Sequence, residues 1–347
     1  MKAEKKIFGQ LDGQDVYGYR IRNSNGVEVE CMEYGCAITR IVTPDRDGRV
    51  ENIVLGCREL EDYIHRVPYF GAVVGRVGGR IGKGHLPVNR KTYQVTANQE
   101  GNHLHGGEKG FSHRVWSSHA IESEQDAAVV FTYFSPDGEE GFPGNLEVKV
   151  TYRLTEKNEF ILTYEGRPDR DTVLNMTNHT YFNLSGSVKD SIAEHALTLP
   201  SGHYLELDDE SLPTGRELET EGTVFDFRQG RKLKDGIFSD HEQIKIAGGG
   251  YDHPFLLDEG KEMILYEANS GRLLTVETDQ PAVIVYTSNS MGDDIVLQEG
   301  KTAEKHMAVC LETQFPPDAV HHDSFPSIIL RNGEKYHAET KWTFSVR

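Results

Sequence analysis

Leu146, Val148, Val150, Tyr152 and Leu154 alternate with Glu147, Lys149, Thr151 and Arg153 in the middle of the chain. A period of two turns one side of an extended segment to a core and the other to water, as an antiparallel strand requires. Phe160, Leu162 and Tyr164 repeat the pattern, as do Trp342, Phe344 and Val346, and Val27, Val29 and Cys31 follow it more weakly. Residues 127–134 are almost all apolar, which predicts a strand buried on both faces. Asn25-Gly26, Asp47-Gly48, Asp137-Gly138 and Asn332-Gly333 read as turns between such runs. Residues 58–64 are the best short helical candidate. No linker or composition break divides the sequence, so one all-β domain over residues 1–347 is expected. A large antiparallel β-sandwich uses this many strands better than a closed barrel.

Composition adds mostly exclusions. With 55 Asp and Glu against 37 Lys and Arg, the formal charge is −18. Nucleic acid and anionic membrane surfaces call for basic patches, so neither is an expected partner. No run approaches the ~18 apolar residues of a membrane-spanning helix. The N-terminal MKAEKKIFGQLDGQ has no apolar stretch behind its lysines, so no secretory leader is expected. Cys31, Cys36, Cys57 and Cys310 form no CxxC pair and read as buried thiols. A cytoplasmic protein, monomeric or homodimeric, is the expectation.

Four segments carry candidate chemistry. His103-Leu104-His105 would place both imidazoles on one face of a strand, with Glu108 beyond two glycines. Such a pair suggests a metal site, but it is a weak motif without a rigid third ligand. Asn175 to Leu184 is too polar for an ordinary core strand, and it carries His179. Gly249-Gly250-Tyr251-Asp252-His253-Pro254 reads as a loop that brings a carboxylate beside an imidazole. Glu312 follows the apolar run 307–311, and a carboxyl at the end of a buried strand has a raised pKa unless paired. His321-His322-Asp323 reads as a surface loop. GxSxG and GxxxxGK[ST] are both missing, and Gly75 to Arg80 lacks the spacing of a dinucleotide-binding turn.

Seven segments, taken in order, resemble the aldose 1-epimerase family: GRVGGRIGKG, NHLHGGEKGFSHRVW, SPDGEEGFPGNLEVKVTYRL, NMTNHTYFNLSG, LPTGR, GYDHPF and LETQFPPDAVHH. The resemblance implies a β-sandwich of the galactose mutarotase type, an open sugar-binding cleft, and no cofactor or metal. It implies an isomerase that interconverts the α and β anomers of free aldohexoses such as galactose and glucose. On the matching positions, Glu312 is the implied general base and His179 the general acid. His105 is placed near the ring oxygen, and Arg80 and Asp252 on sugar hydroxyls. The chemistry suits these types, because ring opening removes a proton from the C1 hydroxyl while protonating the ring oxygen. Two positions depart from the family pattern: Gly79 stands where Asn is common, and Ile284 where some relatives have Gln. Both departures remove hydrogen-bonding groups and leave the preferred sugar open. Arg76, Asn178 and Tyr181 are candidate supports with a structural reading at least as natural. Two alternatives share the scaffold, a hexose-6-phosphate 1-epimerase and a non-catalytic sugar-binding protein.

Overall fold

The computed structural model describes residues 1–67, 69–258 and 262–347. The three strongly alternating segments are Leu146–Thr155, Glu159–Pro168 and Tyr336–Val346, strands of a nine-stranded sheet that also holds Asp126–Ser135 and in which every pairing is antiparallel; the weaker one overlaps Glu28–Met32 of another sheet. One face carries Leu146, Val148, Val150, Tyr152 and Leu154, each 3% exposed or less, while Glu147 and Arg153 reach solvent. Two five-stranded sheets cover that face. The first is a meander from Lys2–Leu11 to Val50–Asn52. The second runs in the order Pro213–Glu219, His203–Leu207, Asp252–Leu256, Ala282–Tyr286, Cys310–Gln314. Tyr19 meets Phe131 edge-on across the first contact, and the Thr313 and Thr340 hydroxyls lie 2.6 Å apart across the second. The result is the expected all-β sandwich of antiparallel sheets.

Gly26, Gly48, Gly138 and Gly333 all have φ between 80° and 85°, the left-handed conformation their turns were expected to need. The short helix is Leu60–His65, burying Leu60 and Tyr63. No helix among the described residues is long and apolar enough to cross a membrane, and all four cysteines are free and buried.

Three expectations change. The apolar run 127–134 is covered on both sides only in its first half; Phe134 is 54% exposed. The Asp252 segment is the strand Asp252–Leu256 and not a loop. Its proline is tolerated because the ladder to His203–Leu207 uses only Phe255 and Leu256, so Pro254 owes no N–H on that side. Glu312 stands in the middle of Cys310–Gln314, not at a strand end.

Candidate active site

Alternation within the second five-stranded sheet builds the floor of a cleft. Val283, Val285 and Leu311 point into the sandwich core. The intervening residues therefore share the opposite face, and register sets them in rows. Asp252 pairs with Tyr286 and Tyr286 with Cys310; Pro254 pairs with Ile284 and Ile284 with Glu312. Asp252, Pro254, Ile284, Tyr286, Glu312 and Gln314 all line the cleft.

The other walls come from short ladders. Thr177–Asn178 pairs with Val73–Val74, and the next residue, His179, is fixed by backbone bonds to Ala72 and Gly71. The polar stretch around it is buried and largely satisfied, although Thr177 Oγ1 and His179 Nδ1 have no partner among the described residues. Asn178 Nδ2 donates to Gly71 O and to the Tyr152 hydroxyl, and Asn175 exchanges two bonds with the Phe315 backbone. His103-Leu104 pairs with Arg80-Ile81, which brings Arg80 alongside the histidine motif.

The two histidines of that motif part company. His103 packs against Phe142, its Nδ1 2.7 Å from Thr96 O, outside the cleft. His105 has φ of +50° and turns into the cleft instead, so the expected shared face does not form. Gly106 makes the turn feasible: a Cβ there would sit 1.8 Å from Gly75 O. Glu108 is exposed and does not line the cleft.

The cleft thus gathers Glu312, His179, His105, Arg80 and Asp252 from five separate segments. Glu312 Oε1 lies 3.5 Å from His179 Nε2, and both side chains are about 5% exposed or less. Burial holds the Glu312 carboxyl well above the usual range; the nearby Asp252 adds to this and Arg80 opposes it. Burial pushes the His179 imidazole down to about 4. His105 is also held well below its ordinary value, by burial first and then by His179 and Arg80. Asp252 is raised by burial against the pull of Arg80. Both members of the Glu312–His179 pair therefore favour their neutral forms, and together they hold one transferable proton.

One ligating atom from each of His105, His179 and Glu312 falls within 4.8 Å of the others, close enough to surround a divalent ion. The hydrogen bonds suit another use. Gly79 N–H donates to His105 Nδ1 at 3.2 Å, so the neutral ring carries its proton on Nε2 and presents a donor. Gly79 itself has no room for a side chain, since a Cβ would lie 2.8 Å from Pro317. The departure noted in sequence is thus a packed position whose backbone orients His105.

Several residues in the cleft or beside it escape sequence reasoning. Gln99 accepts from Arg80 Nε at 2.9 Å. Asp318 anchors the Arg80 segment: its N–H donates to Arg80 O, and its carboxylate accepts from Gly82 N and from His321. Tyr69 contacts both imidazoles. Gln99 and Tyr69 lie outside the seven matching segments, and Asp318, within LETQFPPDAVHH, has no role implied there; only the fold brings them here. Arg76, by contrast, is 2% exposed and bonded to Ser135, Thr172 and backbone carbonyls, a structural role outside the cleft.

The aldose 1-epimerase family model matches residues 17–343. Galactose mutarotase of Rattus norvegicus is 40% identical over 100% of this chain and 99% of its own. Aldose 1-epimerase of Escherichia coli K12 is 34% identical over 96% of each. The crystal structure of galactose 1-epimerase from Lactobacillus acidophilus superposes with a TM-score of 0.89 at 29% identity, covering 99% of both chains.

Proposed function

This chain belongs to the aldose 1-epimerase family and interconverts the anomers of aldoses; we propose that Glu312 and His179 carry the reaction and that its substrates are free aldohexoses such as galactose and glucose. The observation that carries the assignment is the desolvated Glu312–His179 pair, 3.5 Å apart, at the meeting point of the polar walls. In the productive form the pair's proton sits on His179 and Glu312 is a carboxylate. Glu312 takes the proton of the C1 hydroxyl while His179 gives its own to the ring oxygen, and the C1–ring oxygen bond breaks. The electron pair of that bond leaves with the ring oxygen, and C1 becomes an aldehyde. The proton count of the pair is unchanged at one, now on Glu312. Rotation about C1–C2 presents the other face of the aldehyde, and closure runs the transfers in reverse.

In this reading His105 donates from Nε2–H to the ring oxygen as it gains charge, supported by the Gly79 N–H bond to its Nδ1. Arg80 donates to sugar hydroxyls and Asp252 accepts from them. Neither role calls for a cofactor. His179→Asn, which keeps size but cannot shuttle a proton, is expected to lose roughly 100-fold or more of the turnover followed by polarimetry. Turnover within twofold of wild type would remove His179 from the mechanism.

A phosphorylated hexose fits the cleft less well. Arg80 is the sole Lys or Arg among the lining residues, and it is already bonded to Gln99 and faces two carboxyls. A phosphate dianion would find one guanidinium, already engaged, and no other Lys or Arg side chain among the lining residues to answer its second charge. We expect kcat/KM on galactose to exceed that on glucose 6-phosphate by at least tenfold; the reverse order would assign the phosphosugar reaction.

A further inference from the structure

We infer that Tyr69 recognises the exocyclic C6 hydroxyl of the sugar and, through its ring, holds His105 and His179 against the ring oxygen. This rests on the roles proposed above for Glu312 and the two histidines, and it adds a residue that those roles do not include.

The geometry around His179 sets the direction. Its imidazole is stacked on Tyr181, centroids 4.9 Å apart at 22°, and on Tyr69 at 5.9 Å and 20°. Tyr181 leans toward Tyr286 on the cleft floor, the neighbour in register of Cys310 and Asp252. Tyr69 lies on the other side, with its ring edge 4.8 Å from His105 and its phenol within the field of Arg80. Among the described residues Tyr69 is the one tyrosine in ring contact with both imidazoles, and it stands near Arg80, whereas Tyr181 stands near Glu312 and Asp252.

A pyranose ring oxygen has two carbon neighbours. One is C1, whose hydroxyl belongs to Glu312. The other is C5, which carries the C6 hydroxymethyl group. A residue that touches both ring-oxygen donors and stands near Arg80 instead of Glu312 borders C5, and the polar group found there is the C6 hydroxyl.

Two features mark Tyr69 as more than packing. Its hydroxyl lines the cleft region without a hydrogen-bond partner among the described residues, although burial has pushed the phenol up to about 12. The side chain is only partly buried, so this hydroxyl is open to the cleft and free to meet a ligand there. Its backbone also sits at φ of +60°, an outlier for so bulky a residue, pinned by bonds from its N–H to Val67 O and from Ala72 N–H to its own carbonyl. Backbone strain of this kind persists where surrounding structure enforces it, and it concentrates at functional sites.

The test compares galactose with 6-deoxygalactose, which differs only at C6, by polarimetry on wild type, Tyr69→Phe and Tyr69→Leu. Wild type should favour galactose by about tenfold in kcat/KM, the worth of one well-made hydrogen bond. Tyr69→Phe keeps the ring, so it should lose that preference through KM on galactose, leave 6-deoxygalactose unchanged and hold kcat within twofold. Tyr69→Leu should lower kcat on both sugars and shift its pH dependence, because both imidazoles lose their support. Equal effects of Tyr69→Phe on the two sugars, or none, would overturn the C6 contact. An unaltered kcat and pH profile in a folded Tyr69→Leu would overturn the positioning role; if that variant does not fold, Tyr69→Phe still decides the contact. A wild type that accelerates mutarotation of neither sugar would instead fail the proposed function, and this inference with it.

Discussion

Glu312→Gln is expected to abolish accelerated mutarotation, by roughly 1,000-fold or more, and at the same time to raise the melting temperature at neutral pH. The first half follows from the proposed role, since a glutamine of nearly the same shape can neither take the C1 proton nor return it. The second half follows from where the carboxyl sits. Glu312 is 3% exposed on a strand buried throughout its length, and burial together with Asp252 holds its folded pKa above the ordinary 4.5. A carboxyl whose pKa is raised by folding contributes its full share of stability only below the unfolded pKa. As pH rises past 4.5 the unfolded chain releases the proton while the folded chain retains it, at a cost of ~1.4 kcal/mol per pH unit until the folded pKa is passed. Glutamine has no such cost. The gain should therefore be near zero at pH 4.5 and grow toward pH 8, read as a rising difference in melting temperature between the variant and wild type. Thermal melts of both proteins at pH 5 and pH 8, beside polarimetry, check the two halves together. A variant less stable than wild type at pH 8 would contradict the desolvation argument, and residual turnover above a tenth would contradict the assignment.

The two halves were not equally visible in the amino-acid sequence. Strand alternation is a local property, so Leu146 to Leu154 and Trp342 to Val346 were legible without a structure, and so were the four Asx-Gly turns. Glu312, His179, His105, Arg80 and Asp252 came from motif resemblance, and the fold brings all five to one cleft. What stayed hidden depends on contacts between distant segments. The His103-Leu104-His105 spacing predicts a shared face, but the left-handed backbone at His105 sends the two rings apart. His253-Pro254 imitates a loop because proline is scarce in strands, yet the ladder to His203–Leu207 stops at Phe255, so Pro254 owes no N–H on that side. Tyr69 carries no signal at all in sequence; its meaning lies in two imidazoles supplied by segments 36 and 110 residues further on.

Acid should begin to destabilise this protein well above the range in which its carboxylates ordinarily titrate. Three histidines outside the cleft are buried in their neutral form: His103, His195 and His253, none more than 1% exposed. Burial lowers His103 and His195 to about 4 and His253 to about 3, from an ordinary 6.5. Hydrogen bonding explains why protonation is so unwelcome. His195 Nε2 accepts from Leu184 N–H and His253 Nδ1 accepts from Asp252 N–H, so a second ring proton would replace an acceptor by a clashing donor. His103 already uses Nδ1 on Thr96 O, and its Nε2 has no partner among the described residues. A histidine whose pKa is depressed by folding contributes fully above 6.5 and loses that contribution as pH falls toward the folded value, because the unfolded chain takes up the proton first. Each is worth on the order of 3 kcal/mol across that window, so three approach ~10 kcal/mol. That is comparable with the entire ~5–15 kcal/mol stability of a typical folded domain. Relief of the raised Glu312 and Asp252 carboxyls offsets part of this above pH 4.5, but it cannot continue below it. Denaturant midpoints should fall steeply between pH 6.5 and pH 5, with a slope of about two to three protons, and the fold should be lost by roughly pH 4. His195→Gln, which keeps an acceptor for Leu184, should flatten that slope by about one proton. Equal midpoints at pH 7 and pH 5 would refute the account. The acid side of the rate profile would then report unfolding before it reports His179, whose own pKa of about 4 lies at the edge of what the fold survives.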